Sequence, residues 1–341
     1  MKLRLGAAAA ALLTCMTAAS AQAPAPGAVD ALLAAAKRAS GLDYAGTFQR
    51  ICVAPDNMNS AGPGRGGAGR GAGAAPAARA VPDRATWYAG PYKVFDNLYF
   101  IGTKVHSAWA LTTSQGIIVI DSLYDYAIEP EMVEGLTKLG LNPRDVKYML
   151  ISHAHGDHDQ GAALFQSRYG TKIVMGGPDW DSTLTRPANA PGGVPKKDIA
   201  VGPEGTKITL GDTTVDVIFT PGHTPGTISY IFPVKDGRRT LTVAYNGGTA
   251  FNFPRATQAF ANYRDVMKRM GAAVEKSGAT VLMTNHTEFD RAYDRVRLAQ
   301  IPRAAGEKHI YESDAATVRR YFELTETCAE AQRLVSMGEA K

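Results

Sequence analysis

The stretch His153-Ala154-His155-Gly156-Asp157-His158 follows Val146 to Ile151, an apolar segment that predicts a buried strand. Residues two apart in extended backbone point to the same side, so His153 and His155 can bind one metal ion. Gly156 is small enough to let the chain turn, which aims the last two residues of the stretch at a second point nearby. The sequence therefore predicts a strand followed by a metal-binding loop.

Two more histidines come directly after predicted strands. His223 stands in Thr220-Pro221-Gly222-His223-Thr224-Pro225-Gly226, after a strand that ends at Phe219, and His286 follows a strand that ends at Thr284. Loops at the ends of strands converge at one sheet edge in α/β proteins, where ligands bind. A lone histidine is more often an ordinary surface or core residue, but that explanation does not fit five histidines placed after strands.

The other two histidines lack this context. His309 lies in a polar stretch, and we expect an ordinary surface residue. His106 lies in the turn before Trp109, where it could face the predicted site, but a structural role is the expectation. Asp121 ends the strand Gly116 to Ile120 and could either orient a ligand histidine or simply cap the strand.

The pattern resembles the metallo-β-lactamase superfamily. The His-x-His-x-Asp-His run, the Gly-His-Thr-Pro-Gly motif and the late histidine match that family in order and approximate spacing, over roughly Tyr92 to Arg295. The resemblance implies a single-domain α/β fold, a four-layer αββα sandwich, with a site for two Zn²⁺ ions per chain at one edge of its two sheets. Under this resemblance, the ligands of the first zinc are His153, His155 and His223. Those of the second zinc are Asp157, His158 and His286.

Two further features of the sequence indicate which group of the superfamily the chain resembles. Members that resemble glyoxalase II and the acyl-homoserine lactonases carry an aspartate that bridges both metals, after the strand between the last two ligand histidines. Here that strand is Leu241 to Tyr245, and Asn246 follows it with an amide that cannot supply an anionic bridge. A second large subclass uses a cysteine ligand, and no cysteine lies between Cys52 and Cys328. What remains resembles the third subclass of class B β-lactamases, whose second zinc is held by Asp, His and His.

The residues that would bind the substrate differ from those of that subclass. The subclass often places serines where this chain has Gly247 and Thr249, and there they help to bind the substrate carboxylate. Thr249 can donate a similar hydrogen bond, whereas Gly247 cannot. Thr249 and Asn246 are therefore the predicted substrate-binding residues.

The resemblance implies an exported dizinc hydrolase, with a β-lactamase that opens the β-lactam ring by attack of a zinc-bound hydroxide as the first hypothesis. Zinc lowers the pKa of bound water from 15.7 to about 7, so no side-chain nucleophile is needed. His153, His155 and Asp157 are the predicted catalytic residues, because Asp157 can both bind zinc and orient the hydroxide. A dizinc hydrolase of another cyclic ester or amide, similar to the lactonases, is one alternative. A non-catalytic binding protein on the same fold is the other.

Composition excludes one class of partner. The 341 residues include 37 Lys and Arg against 32 Asp and Glu, a formal net charge of +5. Five of the basic residues stand at the N-terminus or in a tract without acidic residues, and without them the two signs balance: Lys2, Arg4, Arg65, Arg70 and Arg79. The rest of the chain has no basic excess with which to bind nucleic acid. We expect a small-molecule substrate, no nucleic acid, no membrane attachment once the signal is removed, and a monomer.

The N-terminal part has a separate organisation. Residues 1–21 predict a secretory signal, because a charged start precedes a short apolar run and a small-residue cleavage site, and we expect export to the periplasm. The predicted order after it is a helical segment (22–60), a disordered Gly/Ala/Pro/Arg insertion (61–82) and a metallo-β-lactamase-like domain with a C-terminal helix (83–341).

Local patterns give three further predictions. Val94 to Ile101 predicts one strand, and Asp314 to Met337 predicts the C-terminal helix. In an oxidising compartment Cys52 and Cys328 can form a disulfide between the N-terminal segment and that helix, or stay separate buried thiols.

Overall fold

Two β-sheets lie face to face, with helices on both outer faces. The structure is a computed structural model that describes residues 27–53, 81–251 and 257–338. The predicted signal (1–21) and all of the predicted insertion except residues 81–82 lie outside the described residues. In the described part of the chain, no helix combines the length and the apolar character that a membrane crossing requires.

The larger sheet has seven strands, arranged in the order of the sequence. They are β1 (Tyr92–Phe95), β2 (Leu98–Phe100), β3 (Trp109–Thr113), β4 (Gly116–Ile120), β5 (Val146–Leu150), β6 (Lys172–Gly176) and β7 (Ile199–Val201). Strands β1 to β4 pair antiparallel, and β4 to β7 pair parallel. Parallel strands need crossover connections, and helices supply them here.

The smaller sheet has five strands, which are β8 (Thr206–Leu210), β9 (Thr213–Phe219), β10 (Ile228–Asp236), β11 (Arg239–Asn246) and β12 (Val281–Thr284). Their spatial order is β12-β11-β10-β9-β8. All neighbours are antiparallel except β11 and β12, which are parallel. The chain therefore leaves β11 and β12 at the same edge.

The α-helices are α1 (Ala28–Ser40), α2 (Ala45–Phe48), α3 (Arg84–Trp87), α4 (Asp125–Ala127), α5 (Glu134–Lys138), α6 (Gly156–Asp159), α7 (Ala162–Tyr169), α8 (Gly177–Leu184), α9 (Thr257–Ser277), α10 (Thr287–Asp290), α11 (Ala292–Leu298) and α12 (Ala315–Ser336). Gln49–Val53 and Ile128–Val133 are π-helical, and Pro143–Asp145 is a 3-10 turn. The predicted C-terminal helix is confirmed, and its start is capped because the Asp314 carboxylate accepts the Thr317 N–H at 2.7 Å.

Strand β4 shows how the sheets divide the hydrophobic core. Ile118 and Ile120 pack between the sheets, whereas Ile117 and Val119 pack under the helices outside the larger sheet. This alternation follows from the two-residue period of a strand. A third core layer lies between the smaller sheet and helices α1, α9 and α12. The layers are therefore helix, sheet, sheet and helix, which confirms the predicted α/β fold and its αββα sandwich.

One predicted strand is wrong. The segment from Val94 to Ile101 is a hairpin, because Asp96 and Asn97 turn the chain between β1 and β2. Asp and Asn are favourable turn residues, and two of them side by side outweigh the apolar pattern around them.

The disulfide between Cys52 and Cys328 is confirmed, with the two Cα atoms 5.0 Å apart. Cys328 lies on α12, and Cys52 lies in the π-helical segment Gln49–Val53 that follows α1 and α2. The bond therefore ties the described part of the N-terminal segment, residues 27–53, to the C-terminal helix, which is the first of the two alternatives that the sequence left open.

Candidate metal centre

Loops that follow five strands meet at one edge of the two sheets. After β4, β5, β9, β11 and β12, in that order, they carry Asp121, residues 153–158, His223, Gly247 and His286. Backbone hydrogen bonds join the ends of these strands. Between the two sheets, the Ile228 N–H donates to Ser152 O at 2.8 Å, and within the smaller sheet the Asn285 N–H donates to Asn246 O at 3.3 Å.

The first donor group consists of His153, His155 and His223, whose ligand atoms all lie within 4.8 Å of one another. His155 Nδ1 and His223 Nε2 are 3.1 Å apart. The Nδ1–H of His153 donates to Gly247 O at 2.9 Å, and that of His223 donates to Ala250 O at 2.6 Å. These bonds turn both Nε2 atoms toward the shared point, where the buried His153 Nε2 has no hydrogen-bond partner.

The second donor group surrounds one carboxylate oxygen. Asp157 Oδ2 lies 3.4 Å from His158 Nε2 and 3.4 Å from His286 Nε2. The two Nε2 atoms are 3.2 Å apart. The ring centroids of His153 and His158 are 4.4 Å apart, so the two groups are neighbours. The structure thus brings all six predicted ligands together at one sheet edge.

His106 faces the second group, which the sequence allowed although a structural role was the expectation. Its Nε2 lies 3.4 Å from Asp157 Oδ2, and His106, Asp157 and His286 form a candidate metal-binding set. His106 reaches this position because it stands opposite His286 in an antiparallel bridge between two loops. The contact joins distant parts of the chain, and the one signal in the sequence is its place before a strand that borders the site.

The expectation that His309 is a surface residue is wrong. It is 5% exposed, it stacks on Phe95 at 3.9 Å between ring centroids, and its Nε2–H donates to Val94 O at 2.9 Å. Polar neighbours along the chain suggested a surface residue, but His309 is a buried structural residue that belongs to neither donor group.

Asp121 orients a histidine of the second group. Its Oδ2 accepts from His158 Nδ1 at 3.0 Å, from the Tyr245 hydroxyl at 3.1 Å and from the Ser152 hydroxyl at 3.0 Å. Its Oδ1 accepts the Ser152 N–H at 2.7 Å. Asp121 has a φ of 61°, a left-handed conformation that is costly without glycine and that these bonds hold in place. Of the two roles left open by the sequence, ligand orientation is the one the contacts support.

Asp179 joins the two loops of the first group, and sequence reasoning missed it. Its Oδ2 accepts the Ala154 N–H at 2.8 Å and the Thr224 hydroxyl at 2.7 Å. Its Oδ1 accepts the Gly226 N–H at 2.9 Å. Asp179 lies on α8, a short helix with no motif, so nothing local distinguished it from a surface aspartate.

The first group is electrically neutral at pH 7. Burial, and after it the neighbouring His155, lowers the pKa of His223 to about 3. Burial also holds the pKa of His153 well below its ordinary value and lowers that of His155. A neutral imidazole is the form that binds a metal ion.

The second group carries charge. Burial alone raises the pKa of Asp157, but the neighbouring imidazoles, with His158 first, outweigh it and hold that pKa well below its ordinary value. Burial alone lowers the pKa of His158, but the carboxylates of Asp157 and Asp121 outweigh it and raise that pKa to about 10. Without a metal ion, this group is therefore an ion pair.

The donor sets fit zinc. Ligands on a tetrahedral zinc ion, each about 2.0–2.2 Å from it, lie about 3.3–3.6 Å from one another. In the structure, His155 Nδ1 and His223 Nε2 of the first group are 3.1 Å apart, and the ligand atoms of the second group are 3.2–3.4 Å apart. Imidazole and carboxylate are zinc ligands, and the buried Nε2 of His153, which has no hydrogen-bond partner, is suited to bind a cation.

The two predicted substrate-binding residues are buried behind the donor groups. The Thr249 hydroxyl donates to Asn285 Oδ1 at 3.0 Å, and Asn246 Nδ2 donates to the Tyr321 hydroxyl at 3.2 Å. Both Thr249 and Asn246 are fully buried. Their binding of substrate stays a prediction, whereas their contacts show that they stabilise the loops after β11 and β12.

Two glycines leave no space for side chains beside the first group. A Cβ on Gly247 would lie 1.9 Å from Ile228 O, and one on Gly248 would lie 2.6 Å from the Cβ of His223. A serine therefore does not fit at Gly247 without a backbone shift.

The sandwich and its edge define a metal-binding α/β protein with two adjacent donor groups. The metallo-β-lactamase superfamily model matches residues 101–237, so the chain carries a metallo-β-lactamase superfamily domain.

Solved structures agree with this assignment. BJP-1, a subclass B3 metallo-β-lactamase of Bradyrhizobium japonicum, is 26% identical with a TM-score of 0.58, and the match covers 71% of this chain and 94% of that chain. The native FEZ-1 metallo-β-lactamase from Legionella gormanii is 22% identical with a TM-score of 0.56, covering 69% of this chain and 92% of that chain. The FEZ-1 likeness shows the fold alone.

Two curated relatives that match this chain are not named as β-lactamases. A hydroxyacylglutathione hydrolase of Acidiphilium cryptum is 35% identical over 85 residues, which is 25% of this chain and 30% of the relative. The N-acyl homoserine lactonase AttM of Agrobacterium fabrum is 30% identical over 119 residues, or 32% of this chain and 44% of the relative. The chain thus matches less than half the length of these relatives.

Proposed function

We propose that this protein is a dizinc hydrolase that opens the β-lactam ring. The observation that carries the proposal is the composition of the two donor groups. Among the described residues, Asp157 is the one carboxylate in either candidate set, and the other members are histidines. The second group has the ligands Asp157, His158 and His286, and no aspartate in the described part of the chain bridges the two groups. This is the ligand pattern that the resemblance to the third subclass of class B β-lactamases implies. The structural likeness to BJP-1 supports the same conclusion.

The chain's own residues prepare the site before substrate binds. When bound, zinc supplies ionised water at neutral pH and polarises the substrate carbonyl. Backbone carbonyls of Gly247 and Ala250 fix the rings of His153 and His223, and Asp121 fixes His158. Fixing the partner nitrogen sets both the tautomer and the direction of each ligand.

Asp157 has a second role in this proposal. Its pKa is held well below the ordinary value, so Oδ2 is an anionic acceptor throughout the neutral range. An ionised carboxylate beside the attacking oxygen accepts a hydrogen bond from its O–H group, which directs a lone pair of that oxygen toward the carbonyl carbon. Its side chain is only 13% exposed, so bulk water competes little for it.

Hydrolysis of a lactone or thioester is the second candidate. The curated relatives named above are a hydroxyacylglutathione hydrolase and a homoserine lactonase, which favours an ester or thioester substrate. Gly247 also lacks the room for a serine that would bind a β-lactam carboxylate. A strained amide, a lactone and a thioester are all electrophiles that the same metal chemistry can attack.

We also propose that the protein is exported to the periplasm. The charged start and short apolar run of residues 1–21 support this location, as does the disulfide between Cys52 and Cys328. Detection of processed protein in a periplasmic extract tests it, and full-length protein confined to the cytoplasm contradicts it.

Turnover by purified, zinc-loaded protein decides between the substrates. Penicillins, cephalosporins and carbapenems form one panel, and acyl-homoserine lactones with a glutathione thioester form the other. We expect hydrolysis of β-lactams that is lost on chelation, restored by zinc, and lost in Asp157→Asn, which keeps the size but removes the charge. Turnover of the second panel alone overturns the β-lactam assignment and supports the second candidate. No turnover by protein with two bound zinc ions supports a non-catalytic binding protein instead.

A further inference from the structure

The loop that carries His106 is built to hold that residue beside His286. The Thr103 hydroxyl oxygen accepts the backbone N–H groups of Val105 and His106 at 3.2 and 2.8 Å. The Thr103 N–H donates to His106 O at 2.8 Å, which closes a tight turn. The backbone of His106 is therefore fixed from within its own loop.

The same loop is paired with the loop after β12. The Ser107 N–H donates to Asn285 O at 2.9 Å, and the Thr287 N–H donates to Val105 O at 3.0 Å. The Thr287 hydroxyl adds a bond to Lys104 O at 2.6 Å. His106 and His286 thus face each other across a short two-stranded ribbon, and neither can move far without the other.

The side chain of His106 has the geometry of a ligand. Its Nε2 lies 3.4 Å from Asp157 Oδ2, the same distance as Nε2 of His158 and of His286. That separation falls within the 3.3–3.6 Å or so expected between two ligands of one tetrahedral zinc ion. The ring is held edge-on by Tyr124 at 5.2 Å and by His286 at 5.1 Å between centroids. Three imidazole nitrogens therefore surround one carboxylate oxygen.

We propose that His106 is a fourth protein ligand of the second metal ion, an inference that rests on the two-metal site of the proposed function. Four protein ligands satisfy the coordination of zinc, as in structural sites, whereas three leave a position open. The second ion is then the more tightly held of the two. The open position falls to the ion held by His153, His155 and His223, which is where substrate binds.

Metal titrations of wild-type protein, His106→Gln and His106→Ala test the inference. Apoprotein is titrated with zinc against a chromophoric chelator, and cobalt-substituted protein is followed by its visible absorption. We expect wild-type protein to bind two ions. Both variants should bind the second ion at least about tenfold more weakly, with the first unchanged and the cobalt spectrum of the second site altered. His309→Gln, which removes a histidine outside the site, should match wild type.

Each other outcome has a definite meaning. Two ions bound with unchanged affinity and an unchanged cobalt spectrum in both variants overturn the role of His106, even if turnover changes, and leave the dizinc hydrolase intact. Wild-type protein that binds one ion overturns the two-metal site and the His106 inference together. Circular dichroism of each apoprotein shows whether the fold persists. If one variant unfolds, the titration of the other decides.

Discussion

The two donor groups lie side by side but are held by different means. Backbone carbonyls of Gly247 and Ala250 hold two rings of the first group, and burial keeps its histidines neutral. A buried carboxylate, Asp121, holds a ring of the second group, whose own aspartate makes it an ion pair. The path of the backbone therefore fixes the ligand rings of the first group, whereas charged side chains fix those of the second.

This difference has a consequence for metal binding. A group of neutral imidazoles can accept a cation without losing a proton, whereas a protonated imidazole must lose one first. The second group has an anionic ligand to offset that cost, because Asp157 neutralises part of the charge of the ion. We therefore expect the two sites to respond differently to mutation, to pH and to changes in their supporting residues.

The largest effect should follow from removing a ligand of the first group. In His223→Ala, two imidazoles remain, and the ion that carries the proposed open position is lost. We expect turnover to fall by about a thousandfold or more, with the second site still able to bind one ion. Metal analysis measures the number of bound ions, and kcat/KM on the best substrate measures the loss of turnover.

A histidine outside the site provides the control for that variant. His309→Gln alters a buried histidine that contacts Phe95 and Val94, away from both donor groups. It should keep two ions and wild-type turnover, although its thermal stability falls. Equal losses of turnover in the two variants would contradict the assignment of His223.

The two sites should also differ in how their metal affinity depends on pH. His158 has a pKa of about 10 in the metal-free fold and so carries a proton at neutral pH, which it must lose to bind metal. His223 has a pKa of about 3 and is already neutral. Between pH 6 and 8 the affinity of the second site should therefore rise by about tenfold per pH unit, while that of the first changes little.

Calorimetry in buffers of different ionisation enthalpy measures how many protons are released when each metal ion binds. We expect about one proton released when the second ion binds and close to none when the first binds. Equal proton release at the two sites would show that the groups do not differ in charge. Wild-type protein at several pH values serves as its own control, since no residue is changed.

The first group was predictable because its geometry is local to strands and their ends. An apolar strand followed by histidines predicted that His153 and His155 share one ion, and the superfamily resemblance added His223. The sheet topology then places the strand ends at one edge. The alternation of strands and helices indicated one α/β domain, and the resemblance to the metallo-β-lactamase superfamily implied its αββα layers. The hairpin at Asp96 and Asn97 was missed because two turn residues interrupt an apolar pattern that otherwise continues.

The rest of the site depends on contacts between distant segments. His106 reaches the second group through pairing of its loop with residues 285–287, and Asp179 reaches the first through a helix with no motif. Thr249 fits a substrate-binding pattern by position, but its hydroxyl donates to Asn285. Position in the sequence identifies what can bind a metal, whereas the partner of each side chain depends on the packed fold.

A smaller effect is expected from the residue that supports the second group. Asp121→Asn keeps the shape of a side chain that accepts from His158, Tyr245 and Ser152, but it removes the charge. Affinity for the second ion should fall by about 10- to 100-fold, with the first site affected less. Chelator competition measures both, and Asp216→Asn on the exposed face of β9 is the matched control. A loss of the same size at the first site would contradict this prediction and show that Asp121 supports both groups equally.

The smallest effect on either group should come from the disulfide, although it bridges 276 residues of sequence. Closing so long a loop restricts the unfolded chain, so Cys52→Ser with Cys328→Ser should lower the free energy of unfolding by about 2–5 kcal/mol. Both cysteines lie in the core layer under α1, α9 and α12, on the outer face of the smaller sheet and not among the loops that bear the ligands. Two bound ions and turnover within about twofold of wild type are therefore expected in the folded double variant. Denaturant unfolding with metal analysis tests this separation. A lost ion would mean that the N-terminal segment and the C-terminal helix also hold the metal centre in place, and that the difference between the two groups extends beyond their own loops.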